Sequence, residues 1–399
     1  MERVLSVTVV LPNEKRKAST YRAELRMLVE SAGGEVVGEV VFELRAVNPA
    51  FYLTRGKLIK LKELIDNNPV DLVVFGVNLK ASQQRNIEEV LQVKTIDYTQ
   101  LILDIFARHA RSLEGKMQVE LAQLEYLLPR LTGKGIMLSR LGGGIGTRGP
   151  GETKLEVDRR RIAQRIAKLK RELEQYRVHR ERIRSSRKRV GLPTVSLIGY
   201  TSAGKSTLLN ALTSAGQKVS DDLFTTLDPL ARRIRLSDGR VAILSDTVGF
   251  IDRLPHNLVE AFKATLEEVV FSDALILVID GSDEDWNRKR RAVFQVLDEI
   301  GVRDKPILTA INKIDIASES LVDEIERVMP NPVRISALKR KGLEDLMNKL
   351  TDLLEPVLPY REEFFPYDQV SRLARIRREG KIIEEEYRED GIIVKGYWK

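Results

Sequence analysis

Cysteine is absent from the 399-residue chain, which excludes disulfide bridges, thiolate metal ligands and cysteine nucleophiles and fits a reducing compartment. No apolar run approaches the roughly 18 residues that a membrane-spanning helix requires. The first residues, MERVLSVTVVLPNEK, carry too short an apolar stretch and too many charges for a secretory signal. We therefore expect a cytoplasmic protein without a membrane span.

Positive charge is concentrated in one part of the chain. The formal net charge is +8, yet residues 154–190 hold 15 Lys and Arg against 5 Asp and Glu, a net charge of +10. The net charge permits an acidic partner such as nucleic acid or an anionic membrane surface, and the local excess favours RNA. A solvated basic helix face is the alternative interpretation.

The order of apolar segments predicts several domains. Apolar and amphipathic segments alternate up to about residue 111, which predicts a small, mainly parallel α/β sheet. Two later runs of apolar residues step by three and four, which predicts two long helices paired as an antiparallel coiled-coil hairpin. The first run is Leu113, Met117, Leu121, Leu124 and Leu128, and the second is Ile162, Ile166, Leu169, Leu173 and Tyr176.

Buried-strand patterns return after Pro193 as TVSLIGY, RVAILSDTVG, ALILVID and PILTAIN, typical of a doubly wound α/β sheet. The last segment has a helical stretch from Gln369 to Arg378, followed by two strand patterns around an Asp390-Gly391 turn. The predicted fold class is thus α/β and multidomain. Its parts are an N-terminal α/β subdomain (1–111), a helical hairpin with a glycine-rich loop (112–190), a P-loop nucleotide-binding domain (191–355) and a small C-terminal α+β domain (356–399).

The glycine-rich loop between the two predicted helices contains LGGGIGTRGPGET. Gly144, Gly146 and Gly149 match the G-x-G-x-x-G pattern of dinucleotide-binding sites. That interpretation is rejected because the preceding sequence is not a strand and no β-α-β unit follows. A flexible loop tip, flanked by arginines that could neutralise RNA phosphates, is the interpretation we favour.

A phosphate-binding motif marks the third domain. GYTSAGKST matches G-x-x-x-x-G-K-S/T through Gly199, Gly204, Lys205 and Ser206, between a strand pattern and a helix pattern. Its backbone amides and Lys205 suit phosphate oxygens, and the Ser206 hydroxyl suits Mg²⁺. Downstream, DTVG at 246–249 would hold Mg²⁺ through Asp246 and sense the γ-phosphate through the Gly249 amide.

The motif NKID at 312–315 predicts guanine as the base. The Asp315 carboxylate can accept from the two donors on the guanine edge, which adenine lacks, so an adenine nucleotide would leave that charge unpaired. Asn312 can use its amide on the base and nearby backbone, and Ser336-Ala337-Leu338 completes the pattern. GTP is therefore favoured over ATP, and a P-loop kinase or ATPase is the disfavoured alternative.

Phe250 stands where many GTPases place a water-orienting glutamine. Phenylalanine cannot orient water, so we predict slow intrinsic hydrolysis of GTP to GDP and phosphate that a partner accelerates. Arg232, Arg233 and Arg253 lie near the predicted switch segments in sequence, and none can be assigned as an arginine finger from sequence.

These motifs resemble those of the HflX family of translational GTPases over nearly the whole chain. The resemblance rests on the glycine-rich signature followed by ETKLEVDRRRI, on LFTTLDPLARR and on DTVGFIDRLPHNLVEAFKATLEE. It implies a monomeric GTPase that binds the large ribosomal subunit and its rRNA and splits or rescues ribosomes under stress. It also implies that Thr226 is a Mg²⁺ ligand and the switch residue. Ser202 replaces the asparagine that helps hold potassium in related GTPases, so a K⁺ requirement is doubtful here.

The combined prediction names one site with three groups of residues. The predicted catalytic residues are Lys205, Thr226 and Gly249, and the predicted Mg²⁺ ligands are Ser206, Thr226 and Asp246. The predicted GTP and GDP contacts are Gly199, Tyr200, Thr201, Ser202, Ala203, Gly204, Lys205, Ser206, Thr207, Phe224, Thr225, Thr226, Asp246, Thr247, Val248, Gly249, Asn312, Lys313, Asp315, Ser336, Ala337 and Leu338. The alternative function is an RNA-binding ribosome-assembly factor whose GTPase domain is mainly structural.

Overall fold

The computed structural model describes residues 1–131, 154–190, 192–213, 230–250, 263–355 and 360–398. Within them, one compact unit runs up to Gln175 and a second begins at Tyr176. The predicted domain boundaries at 111/112, 190/191 and 355/356 stay predictions. The mixed α/β class, with an N-terminal helical region, a central P-loop sheet and a small C-terminal β-rich module, is confirmed.

The first unit is built on a four-stranded parallel sheet in the order β2-β1-β3-β4. Its strands are β1 (Glu2–Val10), β2 (Gly34–Glu43), β3 (Leu72–Phe75) and β4 (Lys94–Ile96). Its helices are α1 (Ala18–Ser31), α2 (Arg55–Asn67), α3 (Ala81–Leu91), α4 (Tyr98–His109) and α5 (Leu113–Leu127), and the next helix along the chain, α6 (Lys154–Val190), begins in it. Residues Val4–Val10 of β1 and the whole of β3 are buried, as expected for central parallel strands.

A buried carboxylate fastens the end of the predicted first hairpin helix to this sheet. Asp97 is 0% exposed and accepts hydrogen bonds from the Tyr126 hydroxyl at 2.8 Å and from Arg130 Nη2 at 3.2 Å. The Arg130 guanidinium also lies 3.4 Å from the centre of the Tyr126 ring. These contacts fix the last turn before residue 132, where the described residues of this segment end.

The two predicted hairpin helices are joined by ion pairs more than by an apolar seam. Glu120 accepts two hydrogen bonds from Arg165, at 2.6 and 2.7 Å, and Glu125 pairs with Lys170 at 2.7 Å. Of the five apolar positions predicted for α6, Leu169 alone is fully buried in the described chain. Arg165 is therefore paired with Glu120 within the protein.

The second unit contains a six-stranded sheet in the order β10-β9-β8-β5-β7-β6. Its strands are β5 (Thr194–Gly199), β6 (Leu230–Arg235), β7 (Val241–Asp246), β8 (Ala274–Asp280), β9 (Ile307–Asn312) and β10 (Pro332–Arg334). Its helices are α7 (Lys205–Thr213), α8 (Lys263–Phe271), α9 (Trp286–Glu299), α10 (Glu319–Val328) and α11 (Leu343–Leu354). Neighbouring strands are parallel except β6, which runs antiparallel to β7 at the sheet edge.

The C-terminal module is a three-stranded antiparallel sheet in the order β11-β13-β12. It consists of β11 (Tyr360–Pro366), α12 (Val370–Glu379), β12 (Lys381–Arg388) and β13 (Gly391–Tyr397). The predicted helix and hairpin are present, and β11 is an additional strand that the sequence reading did not identify. Phe365 of β11 is buried with Trp398 and Leu373, so the third strand supplies part of the module's core.

Candidate nucleotide-binding site

The phosphate-binding motif forms the turn between β5 and α7, and its two glycines are required by close backbone approach. Gly199 has φ +152°, and a Cβ there would lie 2.4 Å from the carbonyl oxygen of Val278. Gly204 has φ +95°, and a Cβ there would lie 2.3 Å from Asn312 Nδ2. Both distances are far below van der Waals contact. The spacing of the motif is thus explained by the geometry of the strand-to-helix turn.

Lys205 begins α7 and is only 6% exposed. Its ammonium donates to the carbonyl oxygens of Gly199 at 3.1 Å and Tyr200 at 3.0 Å. Burial lowers the pKa of Lys205 to about 8, and the charge of Asp246 opposes part of that shift. The arrangement holds a cation inside the phosphate turn, where an anionic ligand would stabilise its charged form.

Two oxygen groups meet beside this turn. The Ser206 hydroxyl donates to Asp246 Oδ2 at 2.7 Å, and Asp246, the last residue of β7, is fully buried. A hydroxyl and a carboxylate are hard oxygen donors of the kind that Mg²⁺ takes from a protein while keeping waters and phosphate oxygens. These two residues therefore fit the predicted metal-binding role. Among the described residues no cluster of three or more His, Asp or Glu side chains could hold a metal by itself.

The segment after Asp246 lies directly against the phosphate turn. The Phe250 amide donates to the Gly199 carbonyl at 3.1 Å, and the Thr201 amide donates to the Phe250 carbonyl at 2.8 Å. Phe250 is 2% exposed. A Cβ on Gly249 would lie 2.8 Å from Thr201 Cγ2 and 3.1 Å from Lys205 Nζ. A side chain at position 249 would crowd Thr201 and Lys205 in this conformation, and the Phe250 side chain is buried.

The base side of the site is organised by Asn312, at the end of β9. Its Nδ2 donates to the Ala203 carbonyl at 2.9 Å, and its Oδ1 accepts from the Ala337 amide at 2.9 Å. Asn312 is 3% exposed, so both hydrogen bonds are protected from water. One side chain thus connects the phosphate turn to the 336–338 loop.

Asp315 is exposed and hydrogen-bonded to the Ser336 side chain. That hydrogen bond holds the pKa of the Asp315 carboxyl below its usual value, with smaller help from nearby Lys339 and Lys341. The carboxylate is therefore ionised at neutral pH and accessible for recognition of a base. Leu338 in the same loop is 73% exposed.

Asp280 is a site residue that sequence reasoning missed. It accepts from Lys313 Nζ at 2.6 Å, and it also accepts from the Ser282 amide and hydroxyl at 3.0 and 2.6 Å. Lys313 has φ +64°, a left-handed conformation that is unfavourable for lysine. The signal was available in ALILVID, because a charged residue at the carboxyl end of a buried parallel strand faces the ligand edge of such a sheet.

The structure brings most of the predicted site residues to one edge of the second sheet and leaves a few undescribed. The predicted contacts found in the phosphate turn, the β7 end and the two base loops are Gly199, Tyr200, Thr201, Ser202, Ala203, Gly204, Lys205, Ser206, Thr207, Asp246, Thr247, Val248, Gly249, Asn312, Lys313, Asp315, Ser336, Ala337 and Leu338. Phe224, Thr225 and Thr226 lie outside the described residues, as do Arg253 and the glycine-rich loop. Arg232 and Arg233 are exposed on the edge strand β6.

The turn between β5 and α7, the Ser206–Asp246 pair and the Asn312–Asp315 loop together define a P-loop GTPase. Three family models match consecutive parts of the chain. They are described as GTP-binding GTPase N-terminal over residues 19–107, GTP-binding GTPase Middle Region over 109–187, and 50S ribosome-binding GTPase over 194–313. In the parts of the chain that the structure describes, no helix is long and apolar enough to cross a membrane.

Full-length relatives identify the family. The GTPase HflX of Caldanaerobacter subterraneus is 46% identical over 394 residues, with 99% of this chain and 90% of the relative covered. The GTPase HflX of Escherichia coli is 41% identical over 372 residues, with 93% and 87% covered. A solved GTP-binding protein from Sulfolobus solfataricus in complex with GDP is 30% identical, covers 90% of this chain and 100% of its own, and has a TM-score of 0.45. The chain belongs to the HflX family of GTPases, and GTP hydrolysis is the activity of this site.

Proposed function

We propose that this GTPase acts on the ribosome, binds the large subunit through rRNA, and uses GTP to separate or rescue ribosomes. The observation that carries the proposal is the combination, in one chain, of a guanine-type site with helix α6, where 15 basic and 5 acidic residues lie within 37 residues. The match of residues 194–313 to a model described as 50S ribosome-binding GTPase supports the same target.

The nucleotide would be held from both ends of the site. The amides of the phosphate turn and Lys205 would take the phosphates, and Asp315 would accept from the guanine edge while Asn312 keeps the two loops in register. Ser206, Asp246 and, from the undescribed switch segment, Thr226 would hold Mg²⁺, which neutralises charge on the phosphates when bound. Guanine specificity then depends on the exposed, ionised carboxylate of Asp315.

Hydrolysis would depend on the partner. Phe250 offers no group that could orient water, and its buried backbone contact with Gly199 and Thr201 keeps the Gly249 segment against the phosphate turn. In the GTP-bound protein, the Gly249 amide would turn to the γ-phosphate. We expect slow intrinsic turnover that rises when the ribosome stabilises this second arrangement.

RNA binding would rest on the solvent-facing side chains of α6. Arg159, Lys168 and Arg171 are exposed, and Arg161 is 75% exposed at its side chain. The partners that these side chains have within α6, such as Glu172 at 3.8 Å from Lys168, are exposed pairs that contribute little energy and give way to phosphate at low cost. Backbone electrostatics rather than base recognition would dominate the contact.

The test is a ribosome-splitting assay. Intact ribosomes mixed with the protein and GTP should show falling light scattering as the subunits separate, and GDP should not support the effect. A Lys205→Ala variant should lose the activity because the phosphates lose their buried cation. If Lys205→Ala retains full activity on ribosomes, the site is structural and the alternative, an RNA-binding assembly factor, is favoured instead. If no ribosomal particle responds to the wild-type protein, the proposal is wrong.

A further inference from the structure

Helix α6 is fastened to helix α8 by a group of arginine–glutamate ion pairs within the second unit. We call this group, which consists of Arg180, Arg184, Arg187, Glu267 and Glu268, the α6–α8 cluster. Glu267 Oε2 accepts from Arg184 Nη2 at 2.7 Å and from Arg180 Nη2 at 3.2 Å. Glu268 lies 3.9 Å from Arg184 and 3.7 Å from Arg187.

The α6–α8 cluster differs from an ordinary surface ion pair in its burial. The side chains of Arg180 and Arg184 are 14% and 16% exposed, and those of Glu267 and Glu268 are 15% and 14% exposed. The Arg184 guanidinium also lies 4.3 Å from the centre of the Phe271 ring, which fixes its plane. Charges removed from water to this degree interact strongly, and they tolerate the loss of a partner poorly.

The position of α8 connects the cluster to the nucleotide site. Helix α8 is the first described element after Phe250 and is reached from it through residues 251–262. It is held on the strand that leads into the phosphate turn, because the Ser196 hydroxyl donates to the backbone carbonyl of Glu268 at 3.1 Å, and Val269 of the same helix is fully buried. Ser196 Oγ also lies 2.9 Å from Ser245 Oγ, next to Asp246 on β7, so α8 is connected through Ser196 both to β5 and to the strand from which the Gly249 segment emerges.

The other end of the cluster lies on the helix that carries the basic surface. Helix α6 is continuous from Lys154 to Val190, and the exposed basic residues proposed to meet RNA precede Arg180 on it. Because Arg180 and Arg184 share one carboxylate oxygen of Glu267, a shift of α8 by one helical turn, about 5.4 Å, would break both contacts at once. The two contacts would therefore be lost together, which suits the cluster to link a movement of α8 to α6.

We propose that Glu267, through Arg180 and Arg184, is the positioning residue that couples the γ-phosphate-sensing segment to α6. The activity test of this inference rests on the proposed ribosomal function. The coupling between the nucleotide site and α6 can also be tested in the isolated protein. Glu267 touches neither nucleotide nor RNA in this assignment. Its removal should therefore affect communication between the two sites and leave each site intact.

The activity test compares Glu267→Gln with a matched control. Gln keeps the size of the side chain and one acceptor oxygen but removes the charge that two arginines share. The control is Glu385→Gln, which alters an equally direct arginine–glutamate pair in the C-terminal sheet, where Arg377 donates at 2.8 and 2.6 Å. Turnover of GTP is measured with and without purified large ribosomal subunits, together with the affinity for GDP and the melting temperature.

For Glu267→Gln we expect the subunit-stimulated kcat to fall roughly tenfold, within the range typical of coupling between sites. The intrinsic kcat and the affinity for GDP should stay within about twofold of wild type. Arg184→Lys keeps the positive charge but loses the two-pronged guanidinium donor. Its subunit-stimulated kcat should lie between those of the wild type and Glu267→Gln. Full stimulation of Glu267→Gln would overturn the inference, and so would an equal loss in Glu385→Gln, which would indicate a general effect of losing an ion pair.

A second readout needs no ribosome. Amide hydrogen exchange in residues 176–187 should differ between the protein with GDP and with a non-hydrolysable GTP analogue, and this difference should disappear in Glu267→Gln. Equal exchange in both nucleotide states of the wild type would overturn the coupling. Absence of stimulation by large subunits in the wild type would instead count against the proposed function. The exchange experiment alone would then decide whether the nucleotide site is coupled to α6.

Discussion

Asn312→Ala is the substitution whose effect on nucleotide binding can be worked out most directly from the structure. The side chain connects two loops through buried hydrogen bonds of 2.9 Å each, one to the Ala203 carbonyl and one from the Ala337 amide. Alanine removes both and leaves a backbone acceptor and a backbone donor without a protein partner. Each buried group left in this way costs about 1–3 kcal/mol.

The total cost of about 2–6 kcal/mol is divided between folding stability and ligand affinity. The phosphate turn and the 336–338 loop must be in register for one nucleotide to contact both. If the loss of one of the two hydrogen bonds reduces the binding free energy, the affinity for GDP falls about 5- to 150-fold. The remainder should appear as a lower melting temperature of the ligand-free protein, by a few degrees.

The assay is a calorimetric titration of nucleotide-free protein with GDP, alongside thermal unfolding. Asn86→Ala is the control, because its amide donates to the Ala50 carbonyl at the same 2.9 Å but in an exposed position of the first unit. This variant should bind GDP as the wild type does. Affinity of Asn312→Ala within twofold of the wild type would refute the reasoning that this amide holds the two loops together.

Three further outcomes follow from the same geometry. Asp315→Asn should reverse the base preference from GDP to xanthosine diphosphate, because an amide can donate to the carbonyl that replaces the guanine amino group. The binding free energy should change by about 1.5–3 kcal/mol per charged hydrogen bond. Competition binding that still favours GDP would contradict this prediction. Lys205, whose pKa is lowered to about 8, should take up a proton when phosphates bind, so GDP affinity should decline above pH 8 and the binding heat at pH 8.5 should depend on the buffer. The unfolded chain holds that proton up to its ordinary pKa, so the stability of the nucleotide-free protein should rise with pH between about 8 and 10.4. Asp97→Asn removes the charge beneath Arg130 and should lower the unfolding free energy of the N-terminal unit by about 3–5 kcal/mol in urea denaturation without changing GDP affinity; an unchanged midpoint would show that this ion pair adds no stability.

The sequence was sufficient wherever the backbone alone dictates the residue. Gly199 and Gly204 occupy positions where a Cβ would clash with backbone or with Asn312. The glycines of the motif therefore indicate the geometry of the turn from the sequence alone. The central strands β5, β7, β8 and β9 are mostly apolar and buried because both of their faces are covered. The residues within each of these elements are enough to determine its structure, and their prediction was confirmed.

Two edge strands escaped prediction because their composition is that of a solvated surface. Strand β6, LARRIR, and strand β11, YREEFFP, mix charged and apolar residues without a regular alternation and lie at the edges of their sheets. Such strands form because a neighbouring strand provides backbone hydrogen-bond partners, and not because of their own apolar content. The neighbour becomes known only when the sheet order is known.

Pairings between distant residues were also beyond the sequence. Arg184 and Glu267 are 83 positions apart, and Lys313 and Asp280 are 33 apart. The excess charge of α6 was read as one basic surface, whereas the structure leaves some of these arginines exposed and pairs others with largely buried carboxylates. Composition measures how much charge a segment carries, but only the fold decides which charges are neutralised internally.

We propose that the guanine nucleotide controls engagement of the large ribosomal subunit. The most direct test of this proposal is cosedimentation of the protein with purified large subunits, with GDP or with a non-hydrolysable GTP analogue, over a series of salt concentrations. We predict that the analogue gives much tighter association than GDP, with log affinity falling linearly as log salt rises because RNA phosphates are neutralised. Equal association with both nucleotides, or no response to salt, would contradict the account.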